Sequence, residues 1–177
     1  MKDLSYYIEN TAVFKKGQEE VRAYHIPRTN ISLNNKWKFH WHDTPEDIPT
    51  GFFETNFSDK KWSLINVSSN WEMQGYGDKL FRNVSVPFHA NPPYILKDYN
   101  PTGLYRRTFK VPTSWPKDEQ VFLHFNKTTS ASFVWINGKE VGYNEETQKP
   151  AEYNITPYLK PGENILAICV LKYSDGY

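Results

Sequence analysis

Few residues of the chain have the types and spacing for chemistry, and they are scattered. The densest group is His40-Trp41-His42-Asp43. Alternate residues of a strand share a face, so His40 and His42 could present two imidazoles together. Tetrahedral zinc takes four ligands, however, and no cysteine pair or His-Glu-x-x-His pattern supplies the others. A solvated strand edge is the expectation there. His124 follows Phe122 and Leu123 and reads as a satisfied core or edge histidine. Cys169 lies between apolar neighbours, which fits an inert buried thiol better than a nucleophile. Glu145 and Glu146 are adjacent in a polar stretch, so their carboxylates diverge. Paired-carboxylate hydrolysis needs two that converge at a set separation, and both are read as solvated loop residues. No Gly-x-Ser-x-Gly elbow, phosphate loop or dinucleotide glycine pattern occurs.

Two features suit binding rather than bond-making. Asp175 stands in Ser174-Asp175-Gly176, just past an apolar run, where a turn can present a carboxylate at a sheet end; a plain turn residue is the competing reading. The stretch Trp71 to Tyr99 mixes aromatics with Pro, Asn, Gly and Asp. Aromatic faces stack on the apolar faces of sugar rings while Asn and Asp bond hydroxyls. The same composition suits a packed interdomain face, and on composition the two alternatives are even.

The elements that must hold these residues are strands. Trp37, Phe39 and Trp41 alternate with Lys36, Lys38 and His40, the period of a half-buried strand. Residues 62–67 and 105–111 alternate too, and 121–125 form a short apolar run. In 131–143, Asn137-Gly138 separates two β-type runs, a strong hairpin signature because both residues tolerate positive φ. Residues 156–162 read as a short helical or turn segment with Pro157 at its first position. Residues 164–173 are apolar on both faces, so this strand should be covered on both sides. Residues 68–102 are long for a structureless connection, a kind of segment that is usually functional. Together these predict an all-β, antiparallel β-sandwich of the jelly-roll kind.

Composition bounds the rest. The chain has 177 residues, about one domain's worth, and too few for a complete (β/α)₈ barrel of about 250. Its 16% aromatic content argues against disorder, and 12 prolines and 9 glycines argue against a helical bundle. A single cysteine excludes an intrachain disulfide. A net charge of +1 gives no electrostatic case for nucleic acid or an anionic membrane surface. No apolar run reaches the ~18 residues a spanning helix needs. Residues 1–30 lack a clear period and read as an extended arm, with the jelly roll over 31–177. Met1 to Gly17 lacks the apolar run of a signal peptide, and a cytoplasmic start and a chain trimmed behind such a peptide look alike. An apolar strand so near the last residue is expected of an excerpt cut at a domain boundary. Asn-x-Ser/Thr sequons include those at Asn56, Asn66, Asn83, Asn126 and Asn154, and asparagine abundance explains most of them.

Several blocks, in order, resemble the amino-terminal domain of family 2 glycoside hydrolases, in their β-galactosidase branch. They are Ser68-Ser69-Asn70-Trp71, Glu72-Met73-Gln74-Gly75-Tyr76-Gly77, Asn83-Val84, Pro87-Phe88, Asn100-Pro101-Thr102-Gly103, Tyr105 to Phe109, Phe133 to Tyr143, Pro150 to Thr156 and Ser174-Asp175-Gly176. They span about residues 30–177. The resemblance implies a jelly-roll sugar-binding module ahead of an immunoglobulin-like domain and a catalytic (β/α)₈ barrel, in a retaining enzyme acting on β-galactosides. It places no catalytic residue in this chain, because both catalytic glutamates belong to the barrel. It matches Asn83 and Asp175 to two residues that bind galactosyl hydroxyls or the substrate edge, and makes Asp175 a partial ligand of a monovalent cation. It implies no cofactor held by this stretch alone, with sodium and magnesium in the parent. Arg82, Tyr173 and Glu145-Glu146-Thr147 depart from the family's usual residues, which bears on the sugar and linkage. A self-sufficient lectin-like module and a purely structural docking domain are the alternative readings.

Overall fold

A computed structural model describes residues 4–21, 27, 29–79, 91, 93–96 and 98–175. Among these residues a helical turn, α1 (Ser5–Ile8), is followed by nine strands: β1 (Lys15–Lys16), β2 (Asn35–His42), β3 (Ser63–Val67), β4 (Thr102–Lys110), β5 (Phe122–Phe125), β6 (Ala131–Ile136), β7 (Lys139–Asn144), β8 (Ala151–Asn154) and β9 (Glu163–Leu171). Among the described residues, seven form one sheet in the order β1-β7-β6-β9-β4-β2-β3, and β5 and β8 form a second. Every pairing of these strands is antiparallel. The chain leaves the large sheet after β4 for β5, returns for β6 and β7, leaves again for β8 and returns for β9. Those crossings make a sandwich of the jelly-roll class.

Alternation along the strands divides the large sheet into two apolar faces. One carries Trp37, Phe39, Ile65, Phe109, Val134, Ile136, Leu166 and Ile168, and Leu123, Tyr153 and Ile155 of the second layer pack with them. The other carries Leu104, Phe133, Trp135, Tyr143, Ala167, Cys169 and Leu171. Strand β9 lies between β6 and β4 and contributes to both clusters, as its two-sided apolar pattern requires. The second face is covered by α1 and by the segment around Phe52 and Trp62. Phe53 stacks on Trp135 with ring centroids 5.1 Å apart, and the Tyr7 ring meets Phe133 edge-on at 5.3 Å. Residues 4–16, read as part of an extended arm, therefore include a helical turn with Tyr7 and Ile8 buried and an edge strand on β7. Their mixed polar sequence hid this, because the anchoring apolar side chains, Tyr7 and Ile8 with Leu4 and Val13 beside them, follow no period.

The β6–β7 turn is the one its Asn-Gly pair predicts: Asn137 has φ 52° and Gly138 φ 82°. Its amide also ties the hairpin to the strand beside it. Asn137 Nδ2 donates to Tyr158 O (2.9 Å) and Asn164 Oδ1 (2.8 Å), and Ile165 N donates to Asn137 Oδ1 (3.0 Å). Residues Thr156–Tyr158 form the expected turn, as a 3₁₀ segment with Pro at its start. On the second face Arg106 is buried. Its Nε donates to Asp59 Oδ2 at 3.0 Å, and Nη1 bonds the carbonyls of Phe52 and Glu54. That fork pins the loop before β3 to the sheet, so an apparently irregular segment is held at specific carbonyls.

Candidate functional site

Asp175 follows the end of β9, and the backbone there is fastened from several sides. Lys172 N donates to Pro101 O at 2.9 Å. Asn100 brackets Tyr173, its Nδ2 donating to Tyr173 O and its Oδ1 accepting from Tyr173 N, both at 3.0 Å. Asn100 is fully buried and its own N–H reaches Asp43 O. Its side chain thus acts as a short substitute for a neighbouring strand just before β4 begins. Ser174 Oγ meets Ser130 Oγ at 2.5 Å, and Asp175 N donates to Ile8 O at 2.9 Å. Residues from four distant parts of the chain converge to hold the backbone that carries Asp175 at the rim of the sheet.

A second carboxyl shares that rim. Glu145, just past β7, is 5% exposed, which corrects the expectation of a solvated loop. Its N–H bonds Phe14 O at 3.1 Å, and Tyr143 Oη donates to its Oε2 at 2.7 Å. Burial pushes its pKa up to about 7; the Tyr143 bond opposes that, and the charge of Asp175 adds to it. The Tyr143 hydroxyl is held neutral far into the alkaline range, first by burial and then by Glu145. The adjacency of Glu145 and Glu146 obscured this arrangement. In an extended chain neighbours diverge, so Glu145 turns inward while Glu146 pairs with Lys149 at 2.8 Å. The readable signal was Tyr143, two residues earlier on the same face.

Asn83, the other matched residue, lies outside the described residues. Side-chain oxygens from Asp175, Glu145 and Ser174 are the hard donors that alkali and alkaline-earth cations take, so the rim fits part of a cation shell. Among the described residues no three His, Cys, Asp or Glu side chains cluster as metal ligands, so the remaining donors would come from elsewhere.

The other sequence candidates stand apart from this rim. His40 Nδ1 and His42 Nε2 are 2.9 Å apart, sharing one hydrogen bond on β2 beyond its pairing with β3. The pair is half-buried, less solvated than the sequence suggested. His42 is held below the usual histidine pKa by burial first and by His40 second. His124 is satisfied at both ring nitrogens, by Glu152 (3.0 Å) and Asn126 (2.9 Å). Cys169 is buried and burial drives its pKa far up, so it is no nucleophile.

Within the Trp71–Tyr99 stretch, Trp71 is core: a Cβ on Gly103 would lie 2.6 Å from its ring. Tyr76 packs edge-on against Phe39 at 4.7 Å. Tyr94, by contrast, is 61% exposed, so the described part of the stretch divides between packing and surface. A cleft of about 840 Å³ opens beside it, lined by Trp37, Trp71, Tyr105, Lys127, Ile168 and Lys172 among others. Lys172 there bonds Glu72 at 2.8 Å. Asp175 is not part of that lining.

Comparison with known proteins gives this geometry a family. The model for "Glycosyl hydrolases family 2, sugar binding domain" matches residues 31–177. The chain belongs to that family. This family 2 domain is 43% identical over 148 residues to a β-galactosidase of Priestia megaterium, an alignment covering 81% of the chain and 14% of that protein. It is 41% identical over 145 residues to a β-galactosidase of Photobacterium profundum, with 82% and 14% covered. Among solved structures it is similar to a β-glucuronidase of Bacteroides uniformis, with a TM-score of 0.58, 26% identity, and 80% of this chain and 14% of that one covered. A β-glycosidase of Bacteroides vulgatus gives 0.58, 28%, 78% and 16%. The domain thus spans about one seventh of the length of the curated relatives it matches, and corresponds to one domain of larger enzymes.

Proposed function

We propose that this chain is the sugar-binding domain of a β-galactosidase, with an arm over 1–30 and the jelly roll over 31–177, and that Asp175 and Asn83 supply substrate contacts to a catalytic centre formed elsewhere in the parent. The observation that carries the reading is the rim itself. Asp175 is held at the end of β9 by Asn100, Ser130 and Ile8, inside a domain whose relatives at 41–43% identity are named β-galactosidases.

The chemistry suits the role. A carboxylate accepts strong charge-assisted hydrogen bonds from sugar hydroxyls, and an asparagine amide donates and accepts at once. Both can fix the ring without entering bond cleavage, and bonds that tighten in the transition state raise the rate. The paired carboxylates of a retaining glycosidase would lie in a (β/α)₈ barrel following an immunoglobulin-like domain. Asp175 would give one oxygen to a monovalent cation such as sodium, completed by residues of those domains, while magnesium would be held outside this domain. The cation would supply positive charge near the sugar hydroxyls.

The test is a glycoside panel on the full-length protein. Nitrophenyl β-galactoside is expected to be hydrolysed with a kcat/KM at least about 100-fold above that for nitrophenyl β-glucuronide, a gap of roughly 2.7 kcal/mol. A preference for the glucuronide would sink the reading.

A further inference from the structure

We propose that Asn137 is a latent deamidation site: the hydrogen bonds of its side chain hold back the loss of ammonia, which waits on local opening of the β6–β7 hairpin.

The sequence supplies the reactive pair. Asn137 is followed by Gly138, and a glycine leaves its own nitrogen unhindered, with no Cβ beside it and wide torsional freedom. In an open chain that nitrogen attacks Asn137 Cγ. The bond from Cγ to Nδ2 breaks, and the amide nitrogen leaves as ammonia carrying the Gly138 proton. The cyclic imide so formed takes up water, which opens it at either carbonyl to aspartate or isoaspartate. Nothing is oxidised or reduced, and solvent water is the co-reactant.

The fold opposes the cyclisation. Both protons of Asn137 Nδ2 are engaged, on Tyr158 O at 2.9 Å and Asn164 Oδ1 at 2.8 Å, and Oδ1 accepts from Ile165 N at 3.0 Å. These partners lie across the turn, at the start of β9 and in the 3₁₀ segment ahead of it. Cyclisation needs the side chain to swing back over its own following peptide, so all three bonds must break together. Their partners cannot follow. Asn164 is fully buried; its Oδ1 also accepts from Lys160 N at 2.9 Å, and its Nδ2 donates to Lys160 O at 3.0 Å and Gly162 O at 3.2 Å. The backbone is fixed as well. Asn137 N donates to Ile165 O at 2.9 Å, next to the Ile136–Leu166 pair that ends the β6–β9 ladder. A reacting pair held out of attack geometry loses orders of magnitude in rate. The reaction therefore proceeds from the fraction of molecules in which the hairpin end has parted from β9. An aspartate formed there replaces a two-proton donor with an acceptor facing Tyr158 O and Asn164 Oδ1, so the opened turn cannot reclose on the same bonds.

The experiment incubates the full-length protein in mildly alkaline buffer and follows deamidation of the peptide carrying Asn137 by mass spectrometry. The same peptide, excised beforehand, is the reference. The native protein is expected to deamidate at least about 100-fold more slowly than the free peptide. Asn164→Ala removes one acceptor and the anchor of the turn, and in the folded variant the rate should rise at least about 10-fold over wild type. A role for the turn backbone alone would leave that rate at the wild-type value. If Asn164→Ala does not fold, wild-type protein in urea decides: the rate should climb well below the unfolding midpoint. Equal rates in native protein and peptide would overturn the inference. So would an unchanged rate in folded Asn164→Ala, or, in its place, a rate flat in urea until global unfolding. Aspartate and isoaspartate should appear together, and aspartate alone would refute the cyclic route. Asn137→Asp supplies the aspartate product directly and should lower the melting temperature; an unchanged value would show that the turn recloses after modification.

Discussion

At the scale of single residues, the molecule places charge where bonds hold it. Arg106 is the clearest case, 3% exposed with its guanidinium divided between Asp59 and two loop carbonyls. Removing it strands the Phe52 and Glu54 carbonyls and leaves Asp59 unpaired. Arg106→Leu is therefore expected to cost about 3 kcal/mol in urea unfolding, the scale of a broken buried pair. Asp59→Asn should cost less, because Asp59 is more exposed than Arg106. A cost below about 0.5 kcal/mol for Arg106→Leu would mean the loop is held by packing alone. The sequence marked Arg106 only as an alternating residue of a strand, because its partners lie about fifty positions upstream. The turn position of Asp175 just past an apolar strand was legible from its Ser-Asp-Gly setting. Glu145 was not, since nothing in Glu145-Glu146 says which of two neighbours turns inward.

At the scale of elements, contacts that fix one strand against another set the tolerances. Gly103 on β4 has Trp71 and Phe39 where a Cβ would stand, at 2.6 and 2.8 Å. Gly103→Ala should destabilise by about 1–3 kcal/mol through overpacking, read as a lowered denaturant midpoint; an unshifted midpoint would show that Trp71 can move away. Strand β2 carries a pH effect. His42 has a depressed pKa, so the unfolded chain binds its proton at a pH where the folded one does not. The stability tied to neutral His42 is then present above about pH 6.5 and is lost as pH falls through the folded value. Melting temperature should fall between pH 7 and pH 5, and more steeply in wild type than in His42→Gln. Equal slopes would contradict this. Most strands were readable from period-2 alternation, and the β6–β7 hairpin from Asn137-Gly138. The helical turn α1 and edge strand β1 were not, because two residues pairing with β7 leave too short a pattern for periodicity to register.

At the scale of the whole molecule, a sheet covered on both faces presents a rim where Asp175 stands, away from the cleft between the layers. A rim offering one or two side chains is not a pocket, since sugar sites enclose most of their ligand. The 177-residue chain is therefore expected to show no turnover of nitrophenyl β-galactoside, and titration calorimetry with millimolar galactose should show no heat. Binding by the isolated chain would favour a self-sufficient lectin-like module, with the cleft lined by Trp37, Trp71 and Tyr105 as its site. Activity lost by Asp175 variants only in proportion to lost folding would favour a docking role. The most direct measurement is kcat/KM for nitrophenyl β-galactoside in full-length Asp175→Ala, with melting temperature recorded beside it. Loss of a charge-assisted contact that tightens in the transition state predicts a drop of about 100-fold or more, with the melting temperature within a few degrees of wild type. Near-wild-type kcat/KM in the folded variant would contradict the account.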